Sequence, residues 1–248
     1  MISSLFHTFL YDPIYNLLIF FVDVVPYGDV GIAVIIVTVI VKVVLWPLSI
    51  AAMKTQRRMK FVEPQLREIR EKYKKDKEKQ ALETLALYKN NGIRPFSSIF
   101  VALLQIPVVL ALYLVFSHEH LLAPNQEIIY SFVSFPSQIN PLFFGIFPTT
   151  GHVIILALVA GIAQFIHAYL TIPVPEKSKD PNPATAEEFA RMIAIQSRFI
   201  LPILVAVLAY SAGAVAIYFI ASSIVGVFQE YYVRYHLRHL ELPKTAKT

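Results

Sequence analysis

Lys42 and Thr38 stand four residues apart in a run, Gly31 to Leu48, that is otherwise apolar almost throughout. That spacing puts both on one face of a helix, so the polarity forms a stripe and not a point. The chemistry open to such a lysine is electrostatic: it can anchor the helix end, or attract an anionic group. Lys42 lies seven residues before Ser49, so roughly 10 Å inside the end of a membrane-length helix at 1.5 Å per residue. A charge there costs about 2.5–3.5 kcal/mol on insertion scales, and less if the side chain snorkels to the interface. Lys54, Arg57, Arg58 and Lys60 already crowd the following segment. A further anchor is redundant, which favours a water-accessible cavity open to the cytoplasm over snorkelling.

Other reactive patterns are weak. There is no GxxxxGK phosphate loop, no HExxH, no nucleophile elbow and no serine with a base nearby in sequence, so neither ATP hydrolysis nor any other enzymatic activity is expected. His118 with His120, and His236 with His239, read as surface histidines and not as metal ligands. Gln105, Gln164, His167, Tyr210, Tyr218, Ser222, Ser223 and Gln229 fall within apolar stretches, where interhelical hydrogen bonding is the plain use for them. No metal and no cofactor are expected.

The elements that must position these residues follow from composition. Of 248 residues 56% are hydrophobic and 16% charged, with a mean hydropathy of +0.57. A soluble domain of this size carries more charge, and the long apolar runs are helical, not alternating. The expected class is an all-α integral membrane protein. There is no cysteine, which excludes disulfides, thiolate metal sites and a lipidated cysteine. No basic n-region precedes the first apolar run, so Met1 is expected to begin the mature chain.

Charge placement supplies the topology. Of the 22 Lys and Arg residues, 13 lie from Lys54 to Arg94, four from Lys177 to Arg198 and four from Arg234 onward. None falls in 1–41 or 95–176, where Asp12, Asp23, Asp29, Glu119, Glu127 and Glu176 carry the charge. Basic loops stay in the cytoplasm. This gives five spans at 29–50, 95–116, 152–172, 193–209 and 212–233, with the N-terminus outside and the C-terminus inside. Residues 1–28 and the loop 117–151 are then extracytoplasmic, and 51–94, 173–192 and the basic tail 234–248 cytoplasmic. The uninterrupted apolar part of residues 5–25 is short for a ~30 Å core, which favours an interfacial helix over a further span.

The loop 51–94 is more than a connector. Phe61, Leu66, Ile69 and Tyr73, then Leu82, Leu85 and Tyr88, recur at helical spacing on either side of the polar run KKDKEK. The pattern reads as two amphipathic helices folded into a hairpin, with Pro64 at a helix start or kink. Its cations also attract anionic headgroups, at about 1 kcal/mol each near the surface. The Pro-rich 173–189 is a mobile loop by composition, and Thr185 with Glu188 has the form of a capping box that opens the helix into the fourth span.

In order, these parts resemble the YidC/Oxa/Alb membrane protein insertase family over nearly the whole chain. Gly31, Thr38, Lys42, Pro47 and Leu48 are similar to the family's G…T-x-x-x-R…P-L. Met59 and Pro64 sit in RRMKFVEPQL, followed by REIREKYKKD and ALYKNNGIRPF. LLQIPVVLALY carries Leu104, Gln105, Pro107, Ala111 and Tyr113, and IYFIASSIVGVFQEY closes the set. Two positions depart: Lys42 replaces the family's arginine, and Arg94 its asparagine. The family's large periplasmic domain has no counterpart, so the resemblance is to the compact bacterial form.

The resemblance implies an insertase and chaperone, with a hydrophilic groove inside the five-helix bundle that is open to the cytoplasm and lipid and closed outside. In it Lys42 would attract acidic residues of a substrate, and Thr38, Gln105, Tyr218 and Ser222 would line the groove. Met59, Phe61, Leu66, Ile69, Tyr73, Leu82 and Leu85 would form a hairpin surface that captures substrate first. The implied partners are newly made membrane proteins, membrane lipids, the ribosome and the Sec translocon, in the bacterial cytoplasmic membrane. No specific nucleic acid recognition is expected. Two other readings remain at this stage: a small ion-coupled transporter, for which no internal repeat is found, and a structural assembly factor that translocates nothing.

Overall fold

The break in the first long apolar run sets the plan of the molecule. In the computed structural model, which describes residues 6–93, 107–111, 113–115, 126–172, 174 and 185–236 (the backbone alone for 185–190), the expected span 29–50 is not one helix. Helix α2, Val30–Val44, stops at Leu45, and α3, Trp46–Lys72, begins with Pro47 in its first turn. Proline has no N–H to donate and its ring clashes with the carbonyl four residues back, which here belongs to Val43. The fifteen residues of α2 cover only about 22 Å.

Before α2 come one π-helical turn, His7–Tyr11, and α1, Asp12–Val24. After α3 come α4, Lys77–Asn90; a two-stranded antiparallel sheet of β1, Leu142–Phe143, and β2, Phe147–Pro148; then α5, Ile154–Thr171, α6, Thr185–Tyr210, and α7, Gly213–His236. The expected second span, 95–116, is helical at 107–111 and 113–115, and the remainder lies outside the described residues. Among the described residues three helices are long and apolar enough to cross a membrane, in α5, α6 and α7, or four if α2 and α3 count as one broken span. The chain is thus a mostly helical membrane protein.

Two compact units divide it: Met1–Val44 with Ile106–Val227, and Leu45–Gln105 with Phe228–Thr248. In the first, α1 packs on α2 through Tyr15, Leu18, Ile19 and Val22, all essentially inaccessible, as are Val30, Val34 and Val37. α1 continues the π-helical turn without a break in the helical backbone. α5 and α6 pack together, and there Gly161 lets the backbones approach, since a Cβ would press on the Cβ of Ala206. α5 is inverted relative to a soluble helix. Ile155, Leu158, Ile162, Phe165 and Ile166 face outward while Ala157, Ala160 and Ala168 face in, as expected where lipid replaces water and small residues allow close packing.

Polar pins hold the segment after 126 to the helices of this unit. Asn16 is buried; its Nδ2 donates to the carbonyls of Asp12 (2.8 Å) and Ile128 (2.9 Å), and its Oδ1 accepts from the N–H of Tyr130 (2.6 Å). Asp29, also buried, accepts from the N–H of Ile32 with Oδ1 (3.1 Å) and from that of Phe144, in the β1–β2 turn, with Oδ2 (2.8 Å). It therefore caps α2 and grips the turn with one carboxylate. The carbonyl of Thr149 accepts from the N–H of Ala214 (2.7 Å) at the start of α7.

In the second unit α3 and α4 fold into a hairpin. Gln80 Nε2 donates to the carbonyl of Arg70 (3.1 Å) near the turn, and Arg58 Nη1 to that of Gly92 (3.0 Å) at the root. This pairing makes the two helices antiparallel. Asp76 caps α4 by accepting from the N–H of Lys79 (3.0 Å). Pro64 lies inside α3 and not at its start, flanked by the buried Val62 and Leu66.

The Asp29 pin yields a stability prediction. Asp29→Ala removes an N-cap and leaves the N–H of Phe144 without its acceptor, so unfolding in detergent should become easier by about 1–3 kcal/mol, with Asp29→Asn milder. An unchanged melting temperature for Asp29→Ala would contradict the pin.

Candidate functional site

Within the first unit, polar side chains of α5 and α7 meet, and Lys42 of α2 lies within electrostatic reach of one of them. α2 contributes Thr38 and Lys42, α5 Gln164 and His167, and α7 Ser222, Ser223 and Gly226. Ser223 Oγ donates to Gln164 Oε1 (3.0 Å). One turn further along both helices, Gly226 faces His167, where a Cβ would collide with the imidazole Nε2. The matched three-residue steps, 164 to 167 and 223 to 226, follow from the shared helical repeat and make one seam. Lys42 is half-buried and within electrostatic reach of His167.

No carboxylate pairs with Lys42 among the described residues. A buried cation normally has a counter-ion or hydrogen-bond acceptors, because its desolvation is costly. Here the group within its electrostatic reach is the imidazole of His167. Such a site can accept an anionic group from outside the chain.

The other residues singled out from the sequence are distributed unevenly. Thr38 is 1% exposed and its hydroxyl donates to the carbonyl of Val34 (2.7 Å), so its donor is used within α2. Tyr218 is 2% exposed and belongs to the apolar core, with Phe219 against it. Ser222 is buried beside Ser223, while Gln105 lies outside the described residues. His118, His120 and His239 lie outside them too, and among the described residues no cluster of ligating side chains can hold a metal ion.

The hairpin set, in the second unit, divides by exposure. Leu66 is buried and Met59, Ile69 and Tyr73 are half-buried, whereas Phe61, Leu82 and Leu85 are exposed. Leu66, Arg70, Lys77, Gln80, Ala81, Thr84 and Leu85 line a shallow cleft between α3 and α4. Outward leucines on a basic, amphipathic hairpin give it an exposed apolar surface.

Sequence reasoning undervalued His167, which it assigned to interhelical hydrogen bonding. The detectable signal was its position three residues after Gln164 on one face of an apolar helix. Asp29 was read only as a topology marker, although an aspartate just before an apolar periodic run is also an N-cap signal.

Comparison with known proteins covers most of the chain. The family model of the 60Kd inner membrane protein matches residues 20–239. A protein named membrane protein insertase YidC from Syntrophobacter fumaroxidans is 28% identical over 214 residues, covering 83% of this chain and 34% of that protein. Its namesake from Burkholderia cenocepacia is 30% identical over 209 residues, 83% of this chain and 32% of the other. That from Clostridium tetani is 40% identical over 93 residues, 38% of this chain and 42% of the other. The chain therefore spans between about a third and two fifths of the length of these curated relatives.

The seam predicts a coupling that can be measured. Gly226→Ala forces the His167 ring aside and lowers thermal stability, and His167→Ala in the same chain relieves most of that loss. A double-mutant cycle should give a coupling of about 0.5–3 kcal/mol; additive effects would show that the two positions do not meet.

Proposed function

The chain belongs to the family of the 60Kd inner membrane protein, and from that premise we propose that it is a membrane protein insertase and chaperone. It is not an enzyme. It resides in the bacterial cytoplasmic membrane as a five-span protein with its N-terminus outside and its C-terminus inside. The spans are 29–50, broken at Leu45, then 95–116, 152–172, 193–209 and 212–233. Three of these are supported by helices of sufficient length and apolarity, and the first by the broken pair.

One observation carries the reading: Lys42 is a half-buried cation inside an apolar unit, with no carboxylate paired to it among the described residues. An acidic residue of a translocating segment costs about 3 kcal/mol at the centre of bare hydrocarbon. An ammonium group in a polar groove offsets part of that cost, and water in the groove shortens the apolar distance left to cross. Lys42 is the charged centre of this groove, and the polar side chains of Ser222, Ser223, Gln164 and His167 extend it. A lysine presents a point charge where an arginine would present a planar fork, so it attracts carboxylates with less geometric selection.

On the cytoplasmic side the α3–α4 hairpin captures the substrate first. Phe61, Leu82 and Leu85 give the exposed apolar contacts, and the basic side chains hold the hairpin at the lipid surface. Substrates are newly made membrane proteins; the ribosome and the Sec translocon are further partners, contacted through the basic inner face. Lipid covers the outward apolar side chains of α5 and α6.

The decisive assay is complementation of a strain depleted of its own insertase, following a single-span substrate with a short acidic N-tail. Lys42→Arg retains insertion. Lys42→Ala loses about 1–2 kcal/mol of transition-state stabilisation, a fall of roughly five- to thirtyfold, and a neutral-tailed substrate is spared. Equal insertion of the acidic substrate by all three chains would sink the charge mechanism.

A further inference from the structure

Glu230 is a nearly buried carboxylate on the last turns of α7, and it serves two cations at once. Arg57 Nη2 of α3 approaches its Oε1 at 3.0 Å, and Arg234 Nε, one turn on in α7, approaches the same oxygen at 2.9 Å. The side chains of Arg57 and Glu230 are 19% and 11% exposed, and that of Arg234 is 51% exposed. Arg57 Nη1 also donates to the carbonyl of Val233 (3.4 Å), close to the end of the same helix. Trp46, in the first turn of α3, packs its ring against Phe228 (6.4 Å) and Tyr232 (5.8 Å), which are one turn apart on α7. The adjacent Arg58 reaches the other way and donates to the carbonyl of Gly92, where α4 leaves the hairpin. Consecutive arginines therefore tie both roots of the hairpin, one to the end of α7 and one to each other.

We propose that Arg57, Glu230 and Arg234 form an ionic latch that fixes the hairpin's position relative to the end of α7, and that they act as positioning residues for substrate capture. The latch rests on the insertase reading only in this last respect; its geometry stands apart from it. The arrangement is suited to a latch and not to a plain packing contact. A carboxylate shared by two guanidiniums, one of them half in solvent, holds by direction and charge, and salt or an anionic competitor weakens it. The apolar clasp at Trp46 restrains the start of α3 and lies three turns before Arg57, so the ionic contact is a second point of hold, nearer the hairpin.

The chain has no cysteine, which allows a clean test. Cysteines introduced together as Lys75→Cys, in the hairpin turn, and Tyr235→Cys, on the exposed end of α7, carry spin labels in the full chain in lipid nanodiscs. The starting chain is expected to give one narrow distance distribution. Glu230→Gln, which keeps shape but removes the charge, should broaden it or add a second peak, as should Arg57→Glu. The exchange Arg57→Glu with Glu230→Arg returns one anion to two cations and should restore the narrow peak and, with it, insertion of the acidic-tailed substrate. An unchanged distribution in Glu230→Gln, or an exchanged pair as broad as the single variants, would overturn the latch. Loss of folding in one variant is separated from loss of the latch by the exchange, which a purely structural defect would not rescue. Distances that behave as stated in a chain that inserts nothing would support the latch and end the insertase reading instead.

Discussion

A lysine held inside an apolar helix bundle without a carboxylate beside it is a costly arrangement, worth about 2.5–3.5 kcal/mol against the helix that carries it. The group within electrostatic reach of Lys42, His167, is polar without being acidic. A paired Lys42 would be cheaper and would have nothing to offer an incoming carboxylate. In the proposed mechanism, the same desolvation that penalises the site makes it attractive to an anion that must itself leave water.

Stability comes from elsewhere in the unit. α1 and α2 bury their valines, leucines and isoleucines against each other. Asn16, Asp29 and Thr149 fix the segment following 126 through hydrogen bonds to backbone groups. Each of these polar side chains is buried and satisfied, so each adds rigidity at modest cost. The outward side chains of α5 and α6 are apolar and large, and lipid is the solvent they suit. Among the described residues of this unit, the buried polar side chains thus fall into one seam and a set of pins, with different tasks.

Much of this could be read from the chain in one dimension. A charge within an apolar run is visible without a fold, and so is a basic loop; Lys42, Thr38 and the hairpin were accordingly legible. What depends on distance between helices was not. His167 and Gly226 are 59 residues apart in sequence, and only the close approach of α5 and α7 makes them one contact. Pro47 was seen and read as tolerated inside a span, yet it sits at a true break, because nothing in the sequence shows whether neighbours re-satisfy the freed carbonyl. The apolar spacing of 61–88 predicted a helix pair, but it did not distinguish Leu66, which faces inward, from Leu82 and Leu85, which face out, and it passed over the buried Val62. Glu230 escaped notice because Arg57, its partner on α3, is 173 residues away in sequence, while its i,i+4 pair with Arg234 reads as an ordinary helix-surface contact.

The central claim is that the polar seam around Lys42 is where a translocating segment passes. Site-specific photocrosslinking in living cells addresses it most directly, with the photoreactive residue at position 42, at position 167, or at the outward-facing positions 158 and 162. Stalled chains bearing an acidic N-tail should crosslink through that tail from 42 and 167 and not from 158 or 162. Crosslinks to the tail from 158 and 162 alone, with none from 42 or 167, would contradict the account.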